Sequence, residues 1–426
     1  MTTTEVVPDG AMLERAARLA VGDPEFTLLA ATWAGSIALT MDDSSWTVTA
    51  GDGAVRLASG AGPGAAFRVS GPVAIWQRLL SDPPPPGHID FCETARFDPA
   101  FAVDPQPGDA QSYLLLRRLS ELMRHARNGT DPAPRPVRRP APAPGTHESR
   151  VGRYVHLELD GADNAVYYEE SGTGIPLLCQ HTAGSDARQW RHVLEDPRVT
   201  SCYRVIAYDL PGHGKSLPPE STAWWTEEYL LTTALAMAVP MGLVAALGLD
   251  GPVFMGSSVG GMLALDLARW HPETFRAVIA LEAGLKVPHG DVADARLRRG
   301  RFADPALYAA QMWGAMAPTA PEAFRHETRL HYAQGAPTVF SGDSHYYLLD
   351  HDLSAEAGAI DTTVCPVYLL TGEYDWLTVP MTREAADRIA GSRARIMTGL
   401  GHFPMSEDHE QLMRYVLPAL DEIARG

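Results

Sequence analysis

Ser258 stands at the centre of a motif that could hold a nucleophile beside backbone N–H groups. The sequence Gly256-Ser257-Ser258-Val259-Gly260 is a G-x-S-x-G pattern between an apolar run and an amphipathic segment. This context predicts a strand, a sharp turn and a helix, with the serine on the turn. The two glycines lack Cβ atoms, so neighbouring backbone can approach closely. A Gly- and Ser-rich turn without activity is the alternative interpretation, and Ser257, next to the motif's centre, is predicted to be structural.

A histidine and an acidic residue further along the chain could activate this serine. A serine hydroxyl is nearly inert at neutral pH and needs an adjacent base, which the imidazole of His402 would supply. Asp375 would fix the tautomer of that histidine and stabilise the imidazolium formed during attack. Glu282, at the end of an earlier predicted strand, is the alternative acid. We therefore predict a Ser258, Asp375, His402 triad.

Backbone N–H groups would have to bind the oxyanion that such an attack creates. The Val259 N–H lies directly after the nucleophile, and the loop 181–185 (His-Thr-Ala-Gly-Ser) follows a predicted buried strand. We expect Val259 and Ala183 to donate to the oxyanion. Loss of one such donor typically costs about 3 kcal/mol of barrier.

The elements that must position these residues alternate between apolar strands and helices. Two strands, 153–159 and 165–170, are predicted to be antiparallel because Asp160-Gly161 joins them with turn chemistry. The remaining predicted strands are 175–180, 203–209, 252–256, 277–282, 366–372 and 394–397. Helical stretches between most of them predict a parallel sheet covered on both faces. The candidate residues all follow strand carboxyl ends, where ligands of such sheets bind.

The order serine, acid, histidine is that of α/β-hydrolase triads, and residues 150–426 resemble an α/β-hydrolase-fold enzyme. The segment 209–216 (DLPGHGKS) matches that family's turn after the fourth strand. The resemblance implies a mostly parallel eight-stranded sheet with helices on both faces, a helical cap and catalysis without a cofactor. The family usually has glycine after the histidine of the oxyanion loop, whereas this chain has Thr182. The identity of the second oxyanion donor is therefore open.

A separate segment precedes the hydrolase-like part. Proline recurs every two or three residues in 131–147, which predicts an extended linker, placed at 129–149. Residues 1–128 show an α+β pattern. They resemble a sterol-carrier-protein-type domain in Trp33-Ala-Gly-Ser-Ile, Ser45-Trp46-Thr-Val, Gly71, Trp76, Leu79-Leu80 and Gly108-Asp109. The resemblance implies an apolar tunnel. A packing or dimerisation module is the alternative, and a homodimer would fit it.

About eighty residues interrupt the alternation between Glu282 and Thr362, too many for an ordinary connection. This stretch is rich in Met and aromatic residues, so we expect a cap at 283–362 whose underside forms an apolar pocket. The residues expected to line the substrate pocket are His181, Thr182, Trp313, Tyr332 and Tyr346. A helical subdomain that packs only its own core is the alternative interpretation.

Composition limits the partners of the protein. The formal charge of −17 argues against nucleic acid and anionic membrane surfaces. The histidines and four cysteines lack metal-ligand spacing, so no metal site is expected. The polar N-terminus predicts a cytoplasmic protein, and the apolar stretch 229–249 is predicted to be a core helix, not a membrane insertion.

These features favour a cofactor-free serine hydrolase acting on a carboxylic ester or lactone with a sizeable apolar, polyketide-like body, as a carboxylesterase or lactonase would. Carbon–carbon bond hydrolysis and acyl transfer or cyclisation could use the same three residues. A non-enzymatic lipid-binding protein is a further alternative, although it would not need an intact triad.

Overall fold

The computed structural model describes residues 9–51, 54–133, 143–288 and 304–426. Contact density divides the chain into two compact units, Met1–Arg135 with Ala306–Thr319, and Pro136–Pro305 with Ala320–Gly426. The segment 306–319 therefore packs with the first unit, although we predicted it within the cap of the hydrolase domain. Most of the predicted linker (134–142) and part of the predicted cap (289–303) lie outside the described residues.

The first unit is built on a five-stranded sheet. Its strands are β1 (Gly35–Met41), β2 (Ser44–Gly51), β3 (Ala54–Ser59), β4 (Phe67–Gly71) and β5 (Ala102–Asp104), in the order β3-β2-β1-β4-β5. Its helices are α1 (Gly10–Gly22), α2 (Pro24–Ala30), α3 (Val73–Leu79), α4 (Phe91–Phe97), α5 (Ala110–Asn128) and α10 (Pro305–Gln311). The pairing β1–β4 is parallel and the other pairings are antiparallel.

Aromatic side chains fill the core of the first unit. The Trp76 indole is completely buried and lies edge-on to Phe91 and Phe101, with ring centroids 5.5 and 5.2 Å away. Trp313 also lies here, since its indole N–H donates to Glu121 Oε1 at 3.2 Å. Its ring lies 4.1 Å below the Arg117 guanidinium. Trp313 was expected in the substrate pocket, but its contacts are those of a core residue of the first unit.

The second unit contains an eight-stranded sheet. Its strands are β6 (Val151–Leu159), β7 (Ala162–Ser171), β8 (Ile175–Gln180), β9 (Tyr203–Tyr208), β10 (Val253–Ser257), β11 (Ala277–Leu281), β12 (Val367–Gly372) and β13 (Arg393–Met397). The order is β13-β12-β11-β10-β8-β9-β7-β6. Among the described residues, the pairings of β6 with β7 and of β7 with β9 are antiparallel and the others are parallel. The sheet is therefore mixed and not mostly parallel as expected, because β7 pairs antiparallel with both β6 and β9.

Helices flank this sheet. They are α6 (Arg191–Leu194), α7 (Pro197–Thr200), α8 (Thr233–Ala246), α9 (Val259–Trp270), α11 (Glu322–Ala333), α12 (Val339–His345), α13 (Thr378–Arg388), α14 (Pro404–Glu407) and α15 (His409–Arg425). Every residue of β10, β11 and β12 is buried, as expected for strands covered on both faces. The predicted core helix at 229–249 corresponds to α8. Within the described ranges, no helix is both long enough and apolar enough to cross a membrane.

Candidate active site

Ser258 lies in the turn between β10 and α9 with a backbone conformation that a serine rarely adopts. Its φ is 58° and its ψ is −112°, and such strain is typical of functional positions. An added Cβ on Gly256 would lie 2.2 Å from Gly260 O, and one on Gly260 would lie 2.9 Å from Gln180 O. The turn therefore needs both glycines. The neighbouring Ser257 is completely buried, whereas Ser258 is half-buried.

Asp375 and His402 come together after β12 and β13. The imidazole Nδ1 of His402 lies 2.6 Å from Asp375 Oδ2, so the ring donates there and its Nε2 is left to act as a base. Asp375 is buried and His402 has 22 % of its side chain exposed. The strands β10, β11, β12 and β13 are parallel neighbours, so their carboxyl ends share one edge of the sheet. This edge carries the serine, the acid and the histidine.

Glu282, the alternative acid, lies beside Asp375 and follows β11. It is completely buried with φ 51°, and both its carboxyl oxygens face the Gly372 N–H, at 2.9 and 3.1 Å. The three side chains are close together: a carboxyl oxygen of Glu282, a carboxyl oxygen of Asp375 and a ring nitrogen of His402 all lie within 4.8 Å of one another. Burial and the Asp375 carboxylate raise the pKa of Glu282 well above its usual range.

The oxyanion loop 181–185 leaves Ala183 with a free donor. The Thr182 N–H donates to Gln189 Oε1 at 3.0 Å, so Thr182 has no N–H to offer a substrate. Among the described residues, neither the Ala183 N–H nor the Val259 N–H has an acceptor in the protein. Val259 is the first residue of α9, where N–H groups lack partners within the helix. These two N–H groups are the predicted oxyanion donors.

His181 orients the peptide that carries the Ala183 N–H. Its Nδ1 donates to Thr182 O at 2.8 Å, and its Nε2 accepts from the Leu210 N–H at 3.1 Å. In a trans peptide the C=O and N–H point in opposite directions, so holding Thr182 O directs the Ala183 N–H away from His181. Burial, together with the charge of His213, lowers the pKa of His181 to about 4. His181, predicted to contact substrate, is thus a buried group that acts on the backbone.

Asp343, on α12, ties the cap to the oxyanion loop, and nothing in its local sequence indicated this role. Its Oδ2 accepts from the Gly184 N–H at 2.7 Å and faces His213 Nε2 at 2.9 Å, while Oδ1 accepts from Tyr229 Oη at 3.0 Å. The second ring nitrogen of His213 faces Pro211 O at 3.1 Å. Both ring nitrogens therefore meet acceptors, which is the hydrogen-bonding pattern of an imidazolium. Its contacts with Asp343 raise its pKa against the effect of burial.

Two of the predicted cap residues occupy different places in the second unit. The Tyr332 hydroxyl bonds Thr182 Oγ1 in the oxyanion loop, and the Tyr332 ring lies 5.5 Å from the ring of Phe403. Phe403 in turn packs edge-on to His402 at 4.9 Å. Tyr346 instead is completely buried, and its hydroxyl donates to Asp266 on α9. Tyr332 is therefore next to the predicted catalytic groups, whereas Tyr346 supports the helix behind the serine.

Within the described part of the second unit, another group of polar residues could offer ligands to a cation. Ligand atoms of Asp196, His409 and Glu410 lie within 4.8 Å of one another. Asp196 already bonds His409 Nε2 at 2.7 Å and the Arg198 guanidinium at 2.6 Å. These contacts form an ion-pair network, and we assign it no metal.

Solved structures with the same arrangement of strands and helices show which fold this is. A thermophilic esterase from Thermogutta terrifontis superimposes with a TM-score of 0.55 at 21 % identity, covering 64 % of this chain and 99 % of that one. The enol-lactonase from Burkholderia xenovorans LB400 gives 0.53 at 18 % identity, covering 64 % and 100 %. At such identities the likeness concerns the fold alone, which is that of an α/β hydrolase.

The sequence comparisons lead from the fold to the family. The model of the alpha/beta hydrolase family matches residues 177–414, which is more than half of the chain, and the protein belongs to this family. The matched residues carry all the predicted catalytic groups. They begin well after residues 1–128, so the match gives no support to the sterol-carrier resemblance of that segment.

Curated relatives were found for part of the hydrolase unit. The 2-hydroxy-6-oxo-6-phenylhexa-2,4-dienoate hydrolase of Comamonas testosteroni is 33 % identical over 140 residues, 32 % of this chain and 46 % of that protein. A 2-hydroxy-6-oxononadienedioate/2-hydroxy-6-oxononatrienedioate hydrolase of Burkholderia vietnamiensis is 29 % identical over 167 residues, 38 % and 56 % respectively. The chain spans about half the length of the curated relatives it matches.

Proposed function

We propose that the protein is a serine hydrolase that cleaves a carbon–carbon bond next to a ketone, in a substrate of the 2-hydroxy-6-oxo-dienoate type with an aromatic or other apolar group on that ketone. The 2.6 Å contact between His402 Nδ1 and Asp375 Oδ2, at the sheet edge that carries Ser258, is the observation that supports nucleophilic catalysis. The type of bond comes from the curated relatives. The buried Tyr332 and Phe403 rings make the surroundings of His402 apolar, which supports an apolar group on the ketone.

In the proposed reaction, Ser258 Oγ attacks the ketone carbon while His402 Nε2 takes up the hydroxyl proton. The N–H groups of Ala183 and Val259 bind the resulting oxyanion. The carbon–carbon bond then breaks, the acyl group stays on Ser258, and the proton on His402 passes to the leaving carbon fragment. Water, deprotonated by His402, releases the acyl group as a carboxylic acid. The net change is the addition of one water across the broken bond.

Hydrolysis of a carboxylic ester or lactone is the second candidate. It needs the same attack and the same oxyanion donors, but the proton from His402 goes to an alkoxide oxygen. The half-buried Ser258 and the apolar ring of Phe403 would suit this substrate equally. Only the leaving group differs between the two reactions, so turnover measurements must distinguish them.

The test compares matched substrates on the purified full chain. A 2-hydroxy-6-oxo-6-phenyl dienoate, whose conjugated chromophore disappears on cleavage, is measured beside phenyl esters and aryl lactones of similar size. We expect a kcat/KM for the dienoate at least tenfold above that for the esters. The opposite ranking would replace the carbon–carbon assignment with esterase activity.

Ser258→Ala serves as the control for both reactions, together with labelling by a fluorophosphonate probe. We expect stoichiometric labelling of the wild type and none of the variant. Persistent labelling or turnover in Ser258→Ala would show that another residue is the nucleophile.

The role of the first unit is a separate proposal, which rests on its resemblance to a sterol-carrier-type domain. A bound apolar ligand would have to displace core side chains such as Trp76, Phe91 and Phe101, which pack against one another. Binding of a fluorescent fatty acid that quenches Trp76 would support a carrier role. Absence of quenching at saturating probe would favour a packing module.

A further inference from the structure

Glu282 is buried against the acid of the proposed triad, in a position that needs a chemical explanation. Its side chain has no exposed surface, and both its oxygens approach the same N–H group, that of Gly372. One of its carboxyl oxygens also lies within 4.8 Å of a carboxyl oxygen of Asp375 and of a ring nitrogen of His402. The segment between β11 and the cap therefore brings a second acid to the Asp375–His402 pair.

Burial of two carboxyl groups this close together disfavours ionisation of both, because the two negative charges would repel each other strongly in the low-dielectric interior. A third acid, Glu407 on α14, lies close enough to add to this repulsion, and its Oε1 faces the Gly401 N–H. The one cation of the cluster would be the imidazolium of His402, and it contacts Asp375. A proton shared between the two carboxyl groups removes the conflict.

We propose that Glu282 stays in its neutral acid form and donates a hydrogen bond to Asp375, so that it is a positioning residue for the Asp375–His402 pair. This inference rests on the proposed triad. The hydrogen bond holds the Asp375 carboxylate with Oδ2 towards His402. It also leaves His402 facing one full negative charge and not two. A second charge would favour the imidazolium, which cannot accept the proton of Ser258.

The experiment follows the rate of fluorophosphonate labelling of the full chain across pH, in the wild type, Glu282→Gln, Glu282→Leu and Asp375→Asn. Glutamine is a neutral isostere that keeps both an acceptor for the Gly372 N–H and a donor for Asp375. We expect Glu282→Gln to label within about threefold of the wild-type rate at neutral pH. Glu282→Leu should label at least about tenfold more slowly, because Asp375 and Gly372 both lose their partner.

The pH profile separates this role from a purely structural one. On the acid side, Glu282→Gln should keep the wild-type midpoint, since a neutral group replaces a neutral group. An ionised Glu282 predicts instead that the acid-side midpoint of Glu282→Gln drops by about one pH unit or more.

Two results would overturn the inference: that drop in the midpoint, or labelling of Glu282→Gln as slow as that of Asp375→Asn. Failure of Glu282→Gln to fold would also overturn it, because a neutral isostere must be tolerated at a neutral position. Labelling of Ser258→Ala would be a different failure, that of the proposed function itself. If Ser258→Ala stays unlabelled while Glu282→Gln behaves like Asp375→Asn, only the neutral state of Glu282 is wrong.

Discussion

Asp343 on the cap accepts a hydrogen bond from the Gly184 N–H of the oxyanion loop at 2.7 Å. The same carboxylate oxygen lies 2.9 Å from His213 Nε2, so a buried ion pair anchors it. The added Cβ of a residue at Gly184 would lie 2.6 Å from the Phe340 ring, also on the cap. Contacts with α12 therefore support the shape of the loop, and the cap contributes to the predicted oxyanion site.

We predict that Asp343→Asn lowers both stability and reactivity. The substitution leaves the His213 imidazolium buried without its counter-charge, which should cost about 3 to 5 kcal/mol in the free energy of unfolding. The loop should loosen, and fluorophosphonate labelling of folded protein should slow by about tenfold or more, as for a lost oxyanion donor. Denaturant unfolding and labelling kinetics measure the two effects.

Asp352→Asn is the matched control for this change. Asp352 pairs with Lys286 at 2.5 Å on the surface, so its loss should cost less than about 1 kcal/mol and leave labelling unchanged. Equal effects of the two substitutions would contradict the anchoring role of Asp343.

The strained turn at Ser258 should cost stability. We predict that Ser258→Gly is about 1 kcal/mol more stable than Ser258→Ala, because glycine adopts φ 58° and ψ −112° without a clash, which offsets its larger entropy in the unfolded chain. Both variants should lack labelling, so the comparison isolates backbone strain from chemistry. Thermal or denaturant unfolding of the pair gives the difference. An alanine variant as stable as the glycine variant would mean that the turn is relaxed.

The two cap tyrosines should respond differently to loss of their hydroxyl groups. In Tyr332→Phe the bond to Thr182 Oγ1 disappears while Thr182 keeps Gln189. We expect labelling about three- to tenfold slower, with little change in stability. In Tyr346→Phe the bond to Asp266 is lost, so stability should fall by about 1 to 2 kcal/mol with labelling within about twofold of wild type. The reverse pattern would exchange the roles of the two residues.

Acid should destabilise the second unit through His181. Burial lowers its pKa in the folded protein to about 4, below the usual 6.5, so the unfolded chain binds the proton first as the pH falls. The free energy of unfolding that this group contributes above pH ~6.5 is lost as the pH falls towards ~4, and the loss is about 2 kcal/mol at pH ~5. Denaturant unfolding at pH ~6.5 and at pH ~5 should show a smaller loss in His181→Asn than in the wild type. His213 has the opposite sign, because its pKa is raised and its contribution fades as the pH increases.

The sequence by itself determined much of the hydrolase unit. Apolar runs with turn residues at their ends located β8, β9 and β12 within a residue or two, because a strand buried on both faces must be apolar throughout. Residues directly after such strands necessarily reach one edge of the sheet. The pattern around Ser258, and the positions of Asp375 and His402, could therefore be found without coordinates.

Only the tertiary structure decided how the surroundings of these residues are arranged. Asp343 and Gly184 are 159 positions apart, and no local pattern indicates that they meet. Trp313 lies in a stretch rich in Met and aromatic residues, which predicted a pocket, yet its side chain contacts Arg117 and Glu121 in the first unit. Glu282 was visible as an acid after a strand, but its neutral state depends on contact with Asp375. Spacing along a chain fixes which strand end a residue follows, whereas long-range packing fixes which charges and hydrogen-bond partners it meets there.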